Sequence, residues 1–305
     1  MIDQLKALAE ENGCKLEIVS VDRIKILQKE LTEFQATTEL NGFQKWIVNK
    51  LYRFKIPESM KSVIIVAVPC TAAYANVSFS RKGKTYEAFG TVGGPLAKIQ
   101  RTISSAVKKQ GYAISNQNSL PLKRLAVQSG LAEYGRNNIS YVNGMGSFLQ
   151  YAAFATDIPC PKDAWRKVTA AKDCAGCDKC IKACPISAIR KDNFLIDNGR
   201  CLSAHNENKK DFPAWIPDTA HHTAFDCLKC QVNCPMNKKN LSAVEVSFDE
   251  KETERILKGA PYKDVSKELK DKIALLGLDS WASIPRNINK LLDLMDEGYV
   301  PSLKK

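Results

Sequence analysis

Residues 174–185 read C-A-G-C-D-K-C-I-K-A-C-P, and residues 227–235 read C-L-K-C-Q-V-N-C-P. In the first run, two residues separate the early cysteines and three precede the last, which is followed by proline. That spacing lets one loop place three thiolates, Cys174, Cys177 and Cys180, on a cuboidal iron–sulfur cluster while Cys184 turns to a second cluster. The second run has only Cys227, Cys230 and Cys234, and Cys201, between the runs, is the natural fourth ligand. Eight cysteines then hold two [4Fe–4S] clusters. The crossed rule groups Cys174, Cys177 and Cys180 with Cys234, and Cys201, Cys227 and Cys230 with Cys184. Paired C-x-x-C units also suit zinc, but two runs that each close with a three-residue gap and Cys-Pro fit clusters better.

A chain of 305 residues has room for two domains, or for one large domain with an insertion. Its first residues, M-I-D-Q-L-K, show neither a basic n-region nor an apolar h-region, so no signal peptide is expected. The longest apolar run, residues 63–68, is too short to span a bilayer, and no membrane partner is expected. Eleven cysteines in such a chain fit metal ligation in a reducing cytoplasm, with Cys14, Cys70 and Cys160 left as ordinary thiols. The net charge is +12, with 20 basic and 12 acidic side chains in residues 1–160 and 25 and 21 in the remainder. The excess suits a phosphate-bearing ligand, an acidic redox partner or RNA, and equally a protein whose clusters add negative charge.

Helical spacing of apolar residues runs through residues 2–54 and ends at Pro57. Residues 62–68 form a continuous β-branched run that reads as a buried central strand. Shorter strands at 76–80 and 85–89 flank the turn residues Lys82 and Gly83. A helix opens at Pro95 and ends at Gly111, and a second runs from Pro121 to Gly130. Gly93 and Gly94, before the first of these, could cradle a phosphate but read more simply as a turn. Strands at 112–115, 139–142 and 148–156 complete an α/β pattern, and amphipathic helices at 250–258, 264–275 and 285–295 form an all-α tail. The fold class is therefore an α/β N-terminal domain (1–157), a ferredoxin-like two-[4Fe–4S] module (158–240) and a short all-α C-terminal segment (241–305).

Three features together resemble the epoxyqueuosine reductase family and, more remotely, the corrinoid reductive dehalogenases. One is the order of an α/β domain before a double-cluster module. Another is R-C-L-S at 200–203 with C-x-x-C-x-x-x-C-P-M-N ending at Asn237. The third is P-L-K-R-L-A-V-Q-S-G-L-A-E-Y-G-R-N-N at 121–138, followed by G-M-G-S-F at 144–148, which is similar to the family's G-L-G-W-x-G-K-N segment and its following G-S-[WF]. The likeness covers roughly residues 60–240.

The resemblance implies a reductase whose first domain holds a corrinoid (cobalamin) and whose clusters feed it electrons. By it, Arg136, Asn137, Gly144, Gly146 and Ser147 would line the corrinoid. It also implies a low-potential donor of ferredoxin or flavodoxin type and a small or nucleoside-like substrate, with tRNA as the family's own. The sequence departs from the pattern at the proton donor. Asn118 stands where the family has an aspartate, and an amide has no titratable proton near neutral pH. Tyr86, Glu133, Tyr134 and Tyr141 are the polar alternatives, each more commonly structural. An electron-transfer protein without its own substrate is the alternative reading. His205, His221 and His222 read as surface or capping residues, since cysteine already supplies eight ligands.

Overall fold

The computed structural model describes residues 1–168, 170–192, 195–277 and 281–304. They form two compact units. The first comprises Met1–Pro69 with Pro95–Ala175, the second Cys70–Gly94 with Gly176–Lys305.

The chain begins with α1 (Ile2–Glu11), β1 (Lys15–Ser20), α2 (Asp22–Thr37) and α3 (Gly42–Trp46), which runs into a π-helical turn before β2 (Ser62–Pro69). The hairpin of β3 (Tyr74–Arg81) and β4 (Lys84–Gly90) follows. Next come α4 (Leu96–Lys109), β5 (Ile114–Asn116), α5 (Leu122–Gln128), β6 (Glu133–Tyr134), β7 (Ser140–Tyr141) and β8 (Leu149–Thr156). The cysteine segment carries the short helices α6 (Lys179–Ala183), α7 (Leu202–Glu207) and α8 (Lys229–Val232). The chain closes with β9 (Ala243–Phe248), α9 (Glu250–Leu257), α10 (Lys267–Leu275) and α11 (Ile284–Asp296).

In the first unit the sheet order is β1-β2-β8-β5, with every neighbouring pair antiparallel. Seven consecutive residues of β2, Ser62–Val68, are buried because β2 is flanked by strands on both edges and covered on both faces. Ile64, Val66 and Val68 pack with Leu5, Ile99, Ile103 and Val107 from α1 and α4. The expected central strand is therefore present, but the expectation of unbroken helix over residues 2–54 is not met. Gly13 takes φ 69 and ends the first helix, and Leu16 and Ile18 then alternate inward as strand β1. The same apolar residues satisfy either period over so short a stretch, and pairing with β2 decides between them.

The second unit is built on β4-β3-β9, in which β9 runs parallel to β3. Lys82 (φ 51) and Gly83 (φ 72) form the two-residue turn between β3 and β4, both left-handed as a right-twisted hairpin demands. Phe79 of β3 stacks on Phe248 of β9 at 5.1 Å, inside a core completed by Ile256, Leu269, Ile273, Ile288 and Leu291. This pairing corrects two expectations. The C-terminal segment opens with a strand and is not all-α. The division is also not the linear 1–157, 158–240, 241–305, because the 70–94 hairpin finds its apolar partners after residue 242. The Gly93-Gly94 turn serves packing. The amide of Gly93 donates to Leu275 O at 2.8 Å, and a Cβ at Gly93 would lie 3.3 Å from Ala274 O. That amide is committed to α10, so the phosphate reading is set aside.

Candidate iron–sulfur centre

Seven of the eight cysteines lie in the second unit, and Cys174 lies at the end of the first. The two runs are built alike. Cys180 is the second residue of α6 and Cys230 the second residue of α8, and the two helices pack against each other. α6 stops at Cys184 and α8 one residue before Cys234, and both cysteines are extended because proline disfavours the helical conformation of its predecessor. Cys184 accordingly has φ −69 and ψ 116, and Cys234 has φ −80 and ψ 125. The isolated Cys201 adopts φ −77 and ψ 124 immediately before α7.

The sulfurs sit among backbone donors. Ala188 N–H donates to Cys184 Sγ at 3.2 Å, with Ser187 at φ 54 shaping the turn between them. Cys201 accepts from the amides of Ser203 and Ala204, and Cys227 from that of Lys229. Burial pushes the Cys201 and Cys227 thiols up from their ordinary range, and the amides pull the other way. A buried thiol of this kind is deprotonated by a metal and not by solvent, and the amides then stabilise the thiolate. No three described His, Cys, Asp or Glu side chains are gathered to hold a single metal ion. The donor set fits iron–sulfur ligation: sulfur only, on two short loop–helix turns, with N–H groups directed at the sulfurs.

A buried polar network surrounds the segment that leads into Cys227. His221 and His222 are buried, which corrects the surface reading. His222 Nδ1 lies 2.7 Å from Ala220 O and so carries the proton, leaving Nε2 towards Cys227 Sγ at 3.7 Å. Burial holds its pKa down to about 4, so the ring is neutral near pH 7. Asp226, at φ 57 just before Cys227, accepts from Ser203 Oγ at 2.6 Å through its carboxylate, while its carbonyl accepts from Asn206 Nδ2 at 2.6 Å. Asn287, from α11, completes the shell. Its Nδ2 donates to Asn206 O at 2.9 Å and to Ala224 O at 2.8 Å, tying α7 to the segment that leads into Cys227.

In the first unit, the residues read as corrinoid-lining lie on two adjacent turns. Arg136 and Asn137 sit between β6 and β7, and Gly144, Gly146 and Ser147 between β7 and β8. Asn137 is buried, donating to Tyr141 OH at 3.0 Å and accepting from Ile139 N–H at 3.3 Å. Gly144 and Gly146 take φ 78 and φ 72, and Val142 O accepts from the Gly146 amide at 3.0 Å. Ser147 is buried. Arg136 reaches the cysteine segment: its amide donates to Cys174 Sγ at 3.4 Å and its Nη2 to Cys174 O at 3.0 Å.

Residues 173–237 match the 4Fe-4S double cluster binding domain. The chain therefore carries a domain built for two [4Fe–4S] clusters. Among curated proteins it is 30% identical over 172 residues to the epoxyqueuosine reductase of Cyclobacterium marinum, covering 55% of this chain and 53% of that protein. To the Bacillus cereus epoxyqueuosine reductase it is 23% identical over 239 residues, covering 73% of this chain and 61% of the relative. Each match thus spans less than two thirds of the relative's length. Its likeness is to the epoxyqueuosine reductases. The fold agrees: the Bacillus subtilis epoxyqueuosine reductase, with its catalytic loop swung out of the active site, superposes at a TM-score of 0.68 with 20% identity, covering 95% of this chain and 80% of that one. The Streptococcus thermophilus enzyme gives 0.62 with 18% identity, covering 98% and 86%.

Against that epoxyqueuosine reductase-like background, Asn118 stands out. Its Oδ1 accepts the amide of Ala153 at 3.1 Å, so the carboxamide is a structural acceptor for β8. Tyr134, one of the polar alternatives, and Tyr151 are buried phenols of the same unit. Burial raises the Tyr134 phenol, and raises that of Tyr151 to about 12, with Ser140 Oγ 2.9 Å from the Tyr151 hydroxyl. Both keep their protons throughout the neutral range. Tyr86, by contrast, belongs to the second unit and is bonded to Asp296 at 2.7 Å. Among the described residues, no helix is long and apolar enough to cross a membrane.

Proposed function

We propose that this chain is an iron–sulfur oxidoreductase that passes single electrons through two [4Fe–4S] clusters to a corrinoid in its first unit, where a small or nucleoside-like substrate is reduced. One cluster is assigned to Cys174, Cys177, Cys180 and Cys234, the other to Cys201, Cys227, Cys230 and Cys184. The observation that carries the reading is the pair of hydrogen bonds from Arg136 to Cys174. The turn assigned to the cofactor is thereby joined to a residue assigned to a cluster. A hydrogen bond to the ligating sulfur and a nearby guanidinium both favour the reduced, more negative cluster.

The fit to a corrinoid rests on the second turn. At Gly144 an added Cβ would meet only Lys15 Nζ, at 4.0 Å, which leaves the backbone open to a flat ring. When bound, a corrinoid would supply the low-valent metal chemistry, and the protein would supply placement and electrostatics. In this reading Asn137 holds the Arg136 turn through Tyr141 and Ile139, and Ser147 anchors the second turn. Anaerobic titration of the reconstituted chain with cobalamin tests it. Tight binding with a base-off spectrum is the expected outcome, and absence of binding to a chain with both clusters reducible overturns the corrinoid assignment.

The engagement of Asn118 with Ala153 favours a second reading, an electron-transfer protein that serves a partner enzyme. That reading requires full cluster reduction with no corrinoid bound.

A further inference from the structure

Cys201 is the one assigned ligand that belongs to neither cysteine run. It stands 17 residues after Cys184 and 26 before Cys227, so local spacing cannot bring it to them, and closing such loops costs entropy. Its flanks supply what spacing does not. On one side, Arg200 Nε donates to Ile186 O at 3.1 Å, in the loop that follows Cys184. The same guanidinium lies over the indole of Trp215, with Cζ 4.9 Å from the ring centroid. On the other side, Ser203 Oγ donates to Asp226 Oδ1 at 2.6 Å, and Asp226 is the residue before Cys227. Asp226 is held at φ 57 by its carbonyl, which accepts from Asn206 Nδ2 at 2.6 Å and from Thr223 Oγ1 at 2.9 Å. Between the two contacts, Leu202 is buried in one apolar cluster with Ile186, Ile216 and Ala220, and Cys227 packs against that cluster. Cys184 acts electrostatically on both Cys201 and Cys227.

We infer that Arg200 and Ser203 are positioning residues that staple Cys201 to the second cluster, Arg200 through the loop after Cys184 and Ser203 through Asp226. The inference rests on the proposed function, which assigns Cys184, Cys201, Cys227 and Cys230 to that cluster. It gives the R-C-L-S sequence a physical reason. A side chain on each side of the cysteine reaches a different run, so the sulfur between them is fixed at two points. Leu202 fills the space between the two contacts and keeps water from competing for them. Both bonds join protein groups, so the isolated ligand is preorganised and loop closure does not fall on the last thiolate to bind. Asp226 suits its part because aspartate tolerates the left-handed backbone that turns its carboxylate towards Ser203.

The test uses the full chain reconstituted anaerobically with iron and sulfide. Iron release to a ferrous chelator is followed in time, and EPR of the reduced protein shows which cluster remains. In R200A/S203A, half of the iron should leave at least about tenfold faster than in wild type, the usual scale for losing a residue that orients a metal ligand. The other half should leave at the wild-type rate. C201S should release the same half fast, and adding R200A/S203A to it should change that rate by no more than about twofold, because all three changes act on one sulfur. S203T and D226N, which keep the donor and the acceptor, should release iron as wild type does. If R200A/S203A does not load, R200A and S203A are read singly in the same way. Wild-type release from the alanine variants overturns the inference, and so does equal acceleration of all the iron. A further large acceleration on top of C201S also overturns it, since the two residues would then support the fold and not the ligand. A wild-type chain that assembles no iron–sulfur cluster overturns the proposed function instead.

Discussion

The amide of Arg136 donates to Cys174 Sγ at 3.4 Å while the guanidinium of the same residue holds Cys174 O at 3.0 Å. One residue thus supports the first cysteine of the run through both its main chain and its side chain. In Arg136→Ala the amide bond persists and the cation is lost. The midpoint potential of one cluster should fall by tens of millivolts while the other is unmoved, because a nearby positive charge favours the reduced state. Redox-poised EPR of the two clusters checks this, with iron content unchanged.

Gly135 precedes that turn under tight constraint. A Cβ there would lie 2.6 Å from Tyr141 Cε2 and 2.7 Å from Asn137 Oδ1. Gly135→Ala should destabilise the first unit by about 1–3 kcal/mol, the usual cost of overpacking. The chain should melt earlier and lose the Arg136 contribution to the cluster potential.

Asn287 should matter to the clusters although it lies far along the chain. Asn287→Ala leaves Asn206 O and Ala224 O without their donor in a buried setting, a loss of about 2 kcal/mol. Iron release to a ferrous chelator should accelerate several-fold, and Asn287→Asp should not restore it, since a carboxylate cannot donate.

The clamp between Arg23 and Asp163 sets a pH dependence. Asp163 is buried and receives the guanidinium of Arg23 at 3.0 Å and the amides of Ser20 and Trp165. Burial alone would raise its pKa, but these donors outweigh it and hold the carboxyl below its ordinary value. A carboxyl depressed on folding contributes stability above its unfolded pKa, and that contribution is lost as pH falls through the folded value. Arg23→Ala should therefore cost about 1 kcal/mol at pH 7, the half-exposed guanidinium being screened by solvent, and the gap from wild type should close below about pH 4. Urea unfolding at pH 7 and at acidic pH measures both.

How far the sequence could be read depended on the range of each signal. Cysteine spacing survives any packing, since a cluster's geometry dictates it within a dozen residues, so the match at 173–237 coincides with the runs. The apolar run of β2 was legible because a strand covered on both faces needs no alternation. Lys15–Ser20 was not, because six residues satisfy two periods at once and only β2 selects one. The 70–94 hairpin was legible as a hairpin, but its allegiance to β9 was not, since no local feature of β3 encodes a partner so distant. Asn287 was illegible for another reason. A polar residue on an amphipathic helix reads as solvent-facing until the carbonyls it serves are known.

The parallel pairing of β3 with β9 also has a temporal side. Asn76 and its partner Glu245 are separated by 169 residues. At ordinary rates of synthesis the ribosome needs about ten to thirty seconds to cover that interval. During it the apolar face of the hairpin, with Val77 and Phe79, has no strand to receive it. The first unit can meanwhile close around Pro95–Ala175, so the newborn chain carries a finished half and a waiting hairpin. A truncated product that ended before β9 would present sticky, unpaired strands to the cell's chaperones and proteases.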